Sequence, residues 1–204
     1  SHELRTPLAG LVSYLELLAD DAGAPLSHEQ RGLVEAAGRT TTRLRRLVDD
    51  LLVLAELQSG AIEIRTEDVR VPALLEEVAA EMRAGRPEAG DIRVELEDGP
   101  PIASDRLRIS QIVQNLLDNA LKYGPPGAPV RCRAVAVGGA WIIEIQDEGP
   151  GIPDDERERV LRPFTRGRRA AEVDVPGSGL GLALCSELVR RLHGTLELGR
   201  APEG

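Results

Sequence analysis

Leu4, Leu8, Leu11, Leu15 and Leu18 follow one another in alternating steps of four and three, and Thr40, Leu44, Leu47, Leu51 and Leu54 repeat that spacing. Such steps draw one apolar line along a helix that packs against other helices. Between the two lines, Asp20-Asp21-Ala22-Gly23-Ala24-Pro25 has the composition of a loop. Ser27 with Gln30 three residues on is a capping-box pattern that opens the second helix. A hairpin with an apolar seam on each arm cannot bury both seams alone, so two copies are expected to meet in a four-helix bundle, as a homodimer. Ser59-Gly60 ends the spacing, which assigns the hairpin residues 1–60.

From residue 61 the period changes. Ile62-Glu63-Ile64 alternates as a strand does, 71–82 is helical, 92–96 alternates again, and 107–123 is a second strong helix. Residues 130–137 and 141–146 are two strands joined by a short turn at Gly138-Gly139, 182–193 is a third helix, and 195–198 opens a further strand. Helices over a mainly antiparallel mixed sheet predict an α/β sandwich for 61–204, and an α+β chain as a whole. Both ends look cut: the first helix starts one residue before His2, and the last strand of the sandwich is missing after Gly204.

Composition narrows the partners. A net charge of −9 and only 2% aromatic residues leave neither a basic footprint nor stacking rings for nucleic acid. No apolar run approaches the roughly 20 residues of a spanning helix, and no signal pattern opens the chain, so this segment is expected to be soluble and free of membrane contact. Cys132 and Cys185 lack the paired spacing of a zinc or redox site, and are expected as small buried hydrophobes in a reducing compartment.

The chemistry begins at Ser1-His2-Glu3-Leu4-Arg5-Thr6-Pro7-Leu8. Counted from the leucine seam, His2 faces outward, Thr6 shares its face four residues on, and Glu3 is its neighbour. A neutral imidazole has one bare, nucleophilic nitrogen and one N–H; Glu3 could hold that N–H and take up the proton lost on attack. Pro7 removes a helical hydrogen bond and disturbs the turn over Glu3. A lone outward histidine is otherwise an ordinary solvated side chain.

Three further motifs lie downstream. Asn115, Asn119 and Lys122 share one helical stripe, with Leu116 and Leu117 toward the core. The amide oxygen of Asn119 suits a hard Mg2+ ion on nucleotide phosphates, and Lys122 can neutralise phosphate charge; a plain polar helix face is the alternative. Asp147-Glu148-Gly149-Pro150-Gly151 follows a strand, so a flat base can approach the backbone while the acid accepts from an exocyclic amine, although Asp-x-Gly is also common in turns. Gly177-Ser178-Gly179-Leu180-Gly181-Leu182 runs into a helix whose free N–H groups can cradle phosphates.

In order and approximate spacing these four motifs resemble the histidine box, asparagine box and two glycine boxes of the sensor histidine kinases, over nearly the whole chain. The resemblance implies the ATP-binding fold shared with gyrase, mismatch-repair and heat-shock chaperone ATPases. It implies that Asp147 holds the adenine amine, Asn119 the Mg2+, and Asn115 and Lys122 the phosphates. Tyr123 would lie beside the base, with Gly149, Gly151, Gly177, Gly179, Leu180 and Gly181 framing the nucleotide loops. Asn115 also counts among the catalytic candidates, with His2, Glu3 and Thr6.

Residues 154–176 look like a lid anchored by Phe164, with Arg166 as the candidate for the terminal phosphate; Arg168 and Arg169 are read as solvated loop charges. His193 is read as a helix C-terminal charge before a capping Gly194. By the resemblance the chain binds ATP and Mg2+, phosphorylates His2 and passes the phosphoryl group to an aspartate on the receiver domain of a response regulator. Thr6 would position water for the reverse, phosphatase reaction. The implied location is a cytoplasmic segment of a protein anchored in the bacterial inner membrane. An ATP-driven conformational switch and a degenerate dimeric scaffold are the alternatives. Val12, Ser13, Glu16 and Leu17 lie off the seam and are the expected regulator-docking face.

Overall fold

A computed structural model describes residues 10–11, 13–15, 18, 26–59, 62–85, 91–168 and 178–199. The chain divides into two compact units, Ser1–Ala61 and Ile62–Gly204.

In the first unit the described residues from 10 to 18 are helical, and α1 spans His28–Ser59. The capping box at its start closes in both directions: Gln30 N–H donates to Ser27 Oγ at 3.2 Å, and Ser27 N–H to Gln30 Oε1 at 2.9 Å. Two of the four backbone donors left over at a helix start are thereby satisfied. Along the seam of α1, Leu44 and Leu51 are each 47% exposed, whereas Leu54 is buried. The upper seam therefore leaves apolar surface uncovered within one copy of the chain.

The second unit runs β1 (Glu67–Val69), α2 (Val71–Gly85), β2 (Ile92–Leu96), β3 (Ile102–Ser104), α3 (Arg106–Tyr123), β4 (Val130–Val137), β5 (Ala140–Gln146), a short 3-10 turn (Asp154–Glu156), α4 (Arg157–Val160) and α5 (Gly181–Arg191). β2, β4 and β5 form one sheet with β4 central, parallel to β2 and antiparallel to β5. β1 and β3 pair antiparallel beside it. The β4–β5 register sets Cys132 opposite Ile145, Ala134 opposite Ile143 and Ala136 opposite Trp141, so one face of the hairpin is apolar. On the other face Arg133 meets Glu144 at 3.3 Å. Val130, Cys132 and Ala134 from that inner face, Leu74, Leu75 and Val78 from α2, and Val113, Leu117 and Ala120 from α3 make a single core. The α+β expectation holds for this unit: an apolar sheet face is covered by helices.

Two expected strands are absent. Residues 62–66 are not in a ladder, although Ile62 is buried and Ile64 half-buried as the alternation implied. Arg65 N–H donates instead to Asp105 Oδ2 at 2.9 Å, and pairing begins only at Glu67. A backbone donor committed to a side chain cannot serve a ladder. Residues 195–198 run on from α5 without a strand partner among the described residues.

The end of α5 also differs from expectation. His193, not Gly194, takes the left-handed conformation, with φ at +58°. Gly194 N–H donates to Val189 O at 2.9 Å and His193 N–H to Arg190 O at 3.2 Å. These are the two bonds of a Schellman closure, and the geometry puts its left-handed residue one position before the glycine.

Candidate nucleotide site

Two segments of the second unit meet α3 at different points: the start of α5 beside Asn115 and Asn119, and the Asp147 turn at its C-terminal end. Asn115 and Asn119 lie one turn apart on the half-buried flank of α3, beside its buried line of Ile112, Val113, Leu117 and Ala120. Gly181 opens α5 directly over them: a Cβ there would stand 3.4 Å from Asn115 Oδ1 and 3.7 Å from Asn119 Nδ2. Two side-chain amides thus face the unsatisfied N–H groups of a helix start, which is an environment for an anion and a hard cation together. The residues present fit a Mg·nucleotide: an oxygen donor from an amide, and room that a side chain at Gly181 would fill.

α3 itself is placed by Asp105, one of two buried charged side chains among the described residues, the other being Glu156. Its Oδ1 accepts the Arg108 N–H at 3.0 Å as the helix cap while Oδ2 holds Arg65. No sequence motif singled Asp105 out; an acid just before an apolar-periodic run was the available signal.

At the other end of α3, Lys122 Nζ pairs with Asp118 Oδ2 one turn back. A phosphate reaching Lys122 would compete with that carboxylate. Tyr123 is half-buried, and its carbonyl touches the Asp147 turn: a Cβ at Gly149 would come within 2.7 Å of Tyr123 O and 2.6 Å of Asp147 Oδ1. Only glycine permits that approach. Gly149 N–H donates to Asp147 Oδ1 at 2.7 Å, which orients the carboxylate through one oxygen. Gly151 lies two residues on, with φ at +67°. Lys122, Gly124, Asp147 and Glu148 border a depression that continues along the loop of Pro125, Pro126 and Pro129.

The second glycine box is seated on the turn that follows α4. Gly179 has φ at +69°, and a Cβ there would lie 2.8 Å from Phe164 C, Thr165 N and Thr165 O, so no side chain fits. Leu180 is buried and donates its N–H to Ser178 Oγ at 3.2 Å, just ahead of α5. The boxes containing Asn115, Asp147 and Gly179 are therefore brought together by the fold. His2, Glu3, Thr6, Gly177, Val12, Glu16 and Leu17 lie outside the described residues, while Ser13 is exposed on the first helix.

One expectation for the 154–168 segment is corrected and another is extended. Phe164 is not an apolar anchor: it is 67% exposed, with φ at +61°. The buried residues there are Glu156 and Val160. Arg168 is exposed, as expected of a loop charge, and is also paired. It meets Asp155 Oδ2 at 2.6 Å and Glu156 Oε1 at 2.6 Å, and those two carboxylates, Asp155 foremost, hold its guanidinium pKa above the ordinary range. The acids precede the arginine by 12 residues and more, so charge composition alone suggested a loop and gave no pairing. Arg166 is half-buried on the same turn, and Arg169 lies outside the described residues.

Comparison with known proteins follows the same division. Residues 104–204 match the family of histidine kinase-, DNA gyrase B- and HSP90-like ATPases, and residues 1–60 match the His Kinase A phospho-acceptor domain. The chain is 32% identical over 198 residues to the alginate biosynthesis sensor protein KinB of Pseudomonas aeruginosa, covering 95% of this chain and 32% of that protein. Among solved structures, full-length ShkA in complex with AMPPNP is similar at a TM-score of 0.75 with 33% identity, over 98% of this chain and 42% of that one. The mycobacterial sensor histidine kinase MprB gives a TM-score of 0.53 with 31% identity, over 63% of this chain and 81% of that one. The chain spans less than half the length of the curated relatives it matches.

Proposed function

Because this chain belongs to the sensor histidine kinases, we propose that it is the transmitter core of a two-component sensor, which binds Mg·ATP, phosphorylates its own His2 and passes the phosphoryl group to an aspartate of a response regulator. The observation that carries the reading is the meeting of Asn115 and Asn119 with Gly181 at the start of α5. It supports a phosphate site at the end of the cleft away from Asp147.

In this reading Asp147 accepts from the adenine amine, with Tyr123 beside the base. Asn115 and Lys122 bind phosphate, Asn119 offers its amide oxygen to Mg2+, and Gly149, Gly151, Gly177, Gly179, Leu180 and Gly181 keep the backbone close to the nucleotide. Bound Mg2+ neutralises phosphate charge that these neutral amides cannot. His2 attacks the terminal phosphorus through its bare imidazole nitrogen, the bond from that phosphorus to the bridging oxygen breaks and ADP leaves, while Glu3 holds the other N–H and takes its proton. Thr6 orients water when the regulator's acyl phosphate is hydrolysed. The uncovered seam of α1 at Leu44 and Leu51 supports a homodimer through residues 1–60. We further place this segment in the cytoplasm of a protein anchored in the inner membrane; among the described residues no helix is long and apolar enough to cross a membrane.

Incubation with Mg·ATP labelled on the terminal phosphate tests the reading, since phosphohistidine is labile to acid and stable to alkali. The chain is expected to take up such label, and His2→Gln to abolish it while ATP affinity stays within about twofold, because acceptor and nucleotide lie in different units. Label that persists in His2→Gln would place the acceptor elsewhere.

A further inference from the structure

Glu156 is 2% exposed, yet it belongs to no motif of the nucleotide site. Its carboxylate accepts at both oxygens. Oε1 accepts from Arg159 Nη2 at 2.7 Å and from Arg168 Nε at 2.6 Å, and Oε2 accepts the backbone N–H of Arg168 at 3.0 Å. Gly167 lies against the same carboxylate: a Cβ there would stand 3.2 Å from Oε2. Asp155 adds a second contact to the Arg168 guanidinium. A buried carboxylate with one near and one distant partner closes the chain between them into a loop, and residues 157–167 form that loop.

The loop reaches the nucleotide site by contact. Its backbone at Phe164 and Thr165 abuts Gly179 so closely that no Cβ fits between them, and Gly179 is two residues before Gly181, which faces Asn115 and Asn119. Phe164 keeps a left-handed backbone while the residue is 67% exposed, so it contributes little burial to hold that conformation. The fixed points of the loop are the carboxylate behind it and the glycine in front. Arg166 is carried on it, between Thr165 and Gly167.

We propose that Glu156 is a positioning residue for the nucleotide's terminal phosphate, clamping the 157–167 loop so that Arg166 and the Gly179–Gly181 backbone stand at a fixed distance from Asn115 and Asn119. The proposal rests on the reading of this cleft as an ATP site. It separates two parts of nucleotide recognition: Asp147 acts on the base and is untouched by the clamp, whereas Glu156 acts on the far end of the phosphate chain. Loss of the clamp is therefore felt by ATP and hardly by ADP.

The test is titration of the chain with ATP and with ADP, each with Mg2+, alongside thermal unfolding. Glu156→Gln keeps the shape but turns an amide N–H2 toward guanidinium or backbone donors; it is expected to weaken ATP about tenfold while ADP stays within about twofold. Glu156→Asp, with the charge on a shorter arm, should recover part of the loss. An equal fall for both nucleotides, or an unchanged ATP:ADP ratio, would refute the clamp and leave Glu156 a structural residue. Should Glu156→Gln fail to fold, Arg168→Ala decides: it removes the side-chain contacts but keeps the backbone N–H bond, and is expected to weaken ATP about threefold with ADP unchanged. ATP binding as tight as wild type in that variant would refute the clamp as well. A wild-type chain that binds neither nucleotide refutes the ATP reading itself, and the clamp with it.

Discussion

Asp147 spends one carboxylate oxygen on the Gly149 N–H at 2.7 Å, so its orientation is settled before any ligand arrives. In the proposed reading, the base amine would meet this acceptor with little further ordering. Asp147→Asn can satisfy the Gly149 N–H only by turning its NH2 group toward the donor-bearing edge of adenine. ATP affinity should fall tenfold or more, roughly the cost of a misplaced buried polar pair, as calorimetric titration would reveal. Cys132 shows the opposite case, an ionisable group kept neutral. It is fully buried in the sheet core, and burial pushes its thiol from 9.0 up to about 11. Because the folded pKa is the higher one, the unfolded chain releases this proton first. The thiol's contribution to stability is complete below pH 9 and is lost as the pH rises toward 11. At neutral pH Cys132 should resist thiol reagents until the unit unfolds, which a labelling time course with and without denaturant would measure.

At the scale of elements, the helix ends are fixed by specific side chains. α3 holds both asparagines, and its start is fixed by Asp105, which caps the helix through Oδ1 and ties down Arg65 through Oδ2. Asp105→Ala removes both bonds at a 4% exposed position. The expected loss is about 2–3 kcal/mol, a helix cap plus an orphaned backbone donor, seen as a lower denaturation midpoint with unchanged slope. ATP affinity should fall less than stability does, because Asn115 and Asn119 lie about three and four turns from the cap. α5 closes with His193 in the left-handed position, a role more usual for glycine or asparagine. Here the closure follows from where the helix stops bonding, two residues before Gly194. Local preference for glycine at Gly194 pointed to the right neighbourhood and the wrong residue.

On the scale of the whole molecule, the chain is two units with separate work. If the α1 seam is buried between copies, residues 1–60 should dimerise alone, and 61–204 should be monomeric and still bind ATP. Light scattering on the two fragments checks both statements; a dimeric 61–204 would move the interface into the second unit. The four-three spacing and the change of period at Ser59-Gly60 were legible because seams and strands are periodic, and periodicity is local. So was the capping box of Ser27 and Gln30, whose partners are three residues apart. Asn115 with Asn119, and Asp147 with Gly149, were legible for the same reason: each pair is set by one helix turn or one tight turn. What sequence could not supply was every relation across distance. Arg65 with Asp105, Glu156 with Arg168, Gly179 against Thr165 and Gly181 over Asn115 all join residues far apart in the chain. Those contacts overturned the strand at 62–64 and the anchoring of Phe164, and gave the exposed Arg168 its carboxylate partners. By itself the sequence determined the seams, the order of the boxes and the chemical type of each candidate side chain, because these depend on residue identity and short-range geometry. Which of them meet, and which buried acid pairs with Arg168, only the tertiary structure decided, because a partner for a buried charge is selected by packing across the whole unit.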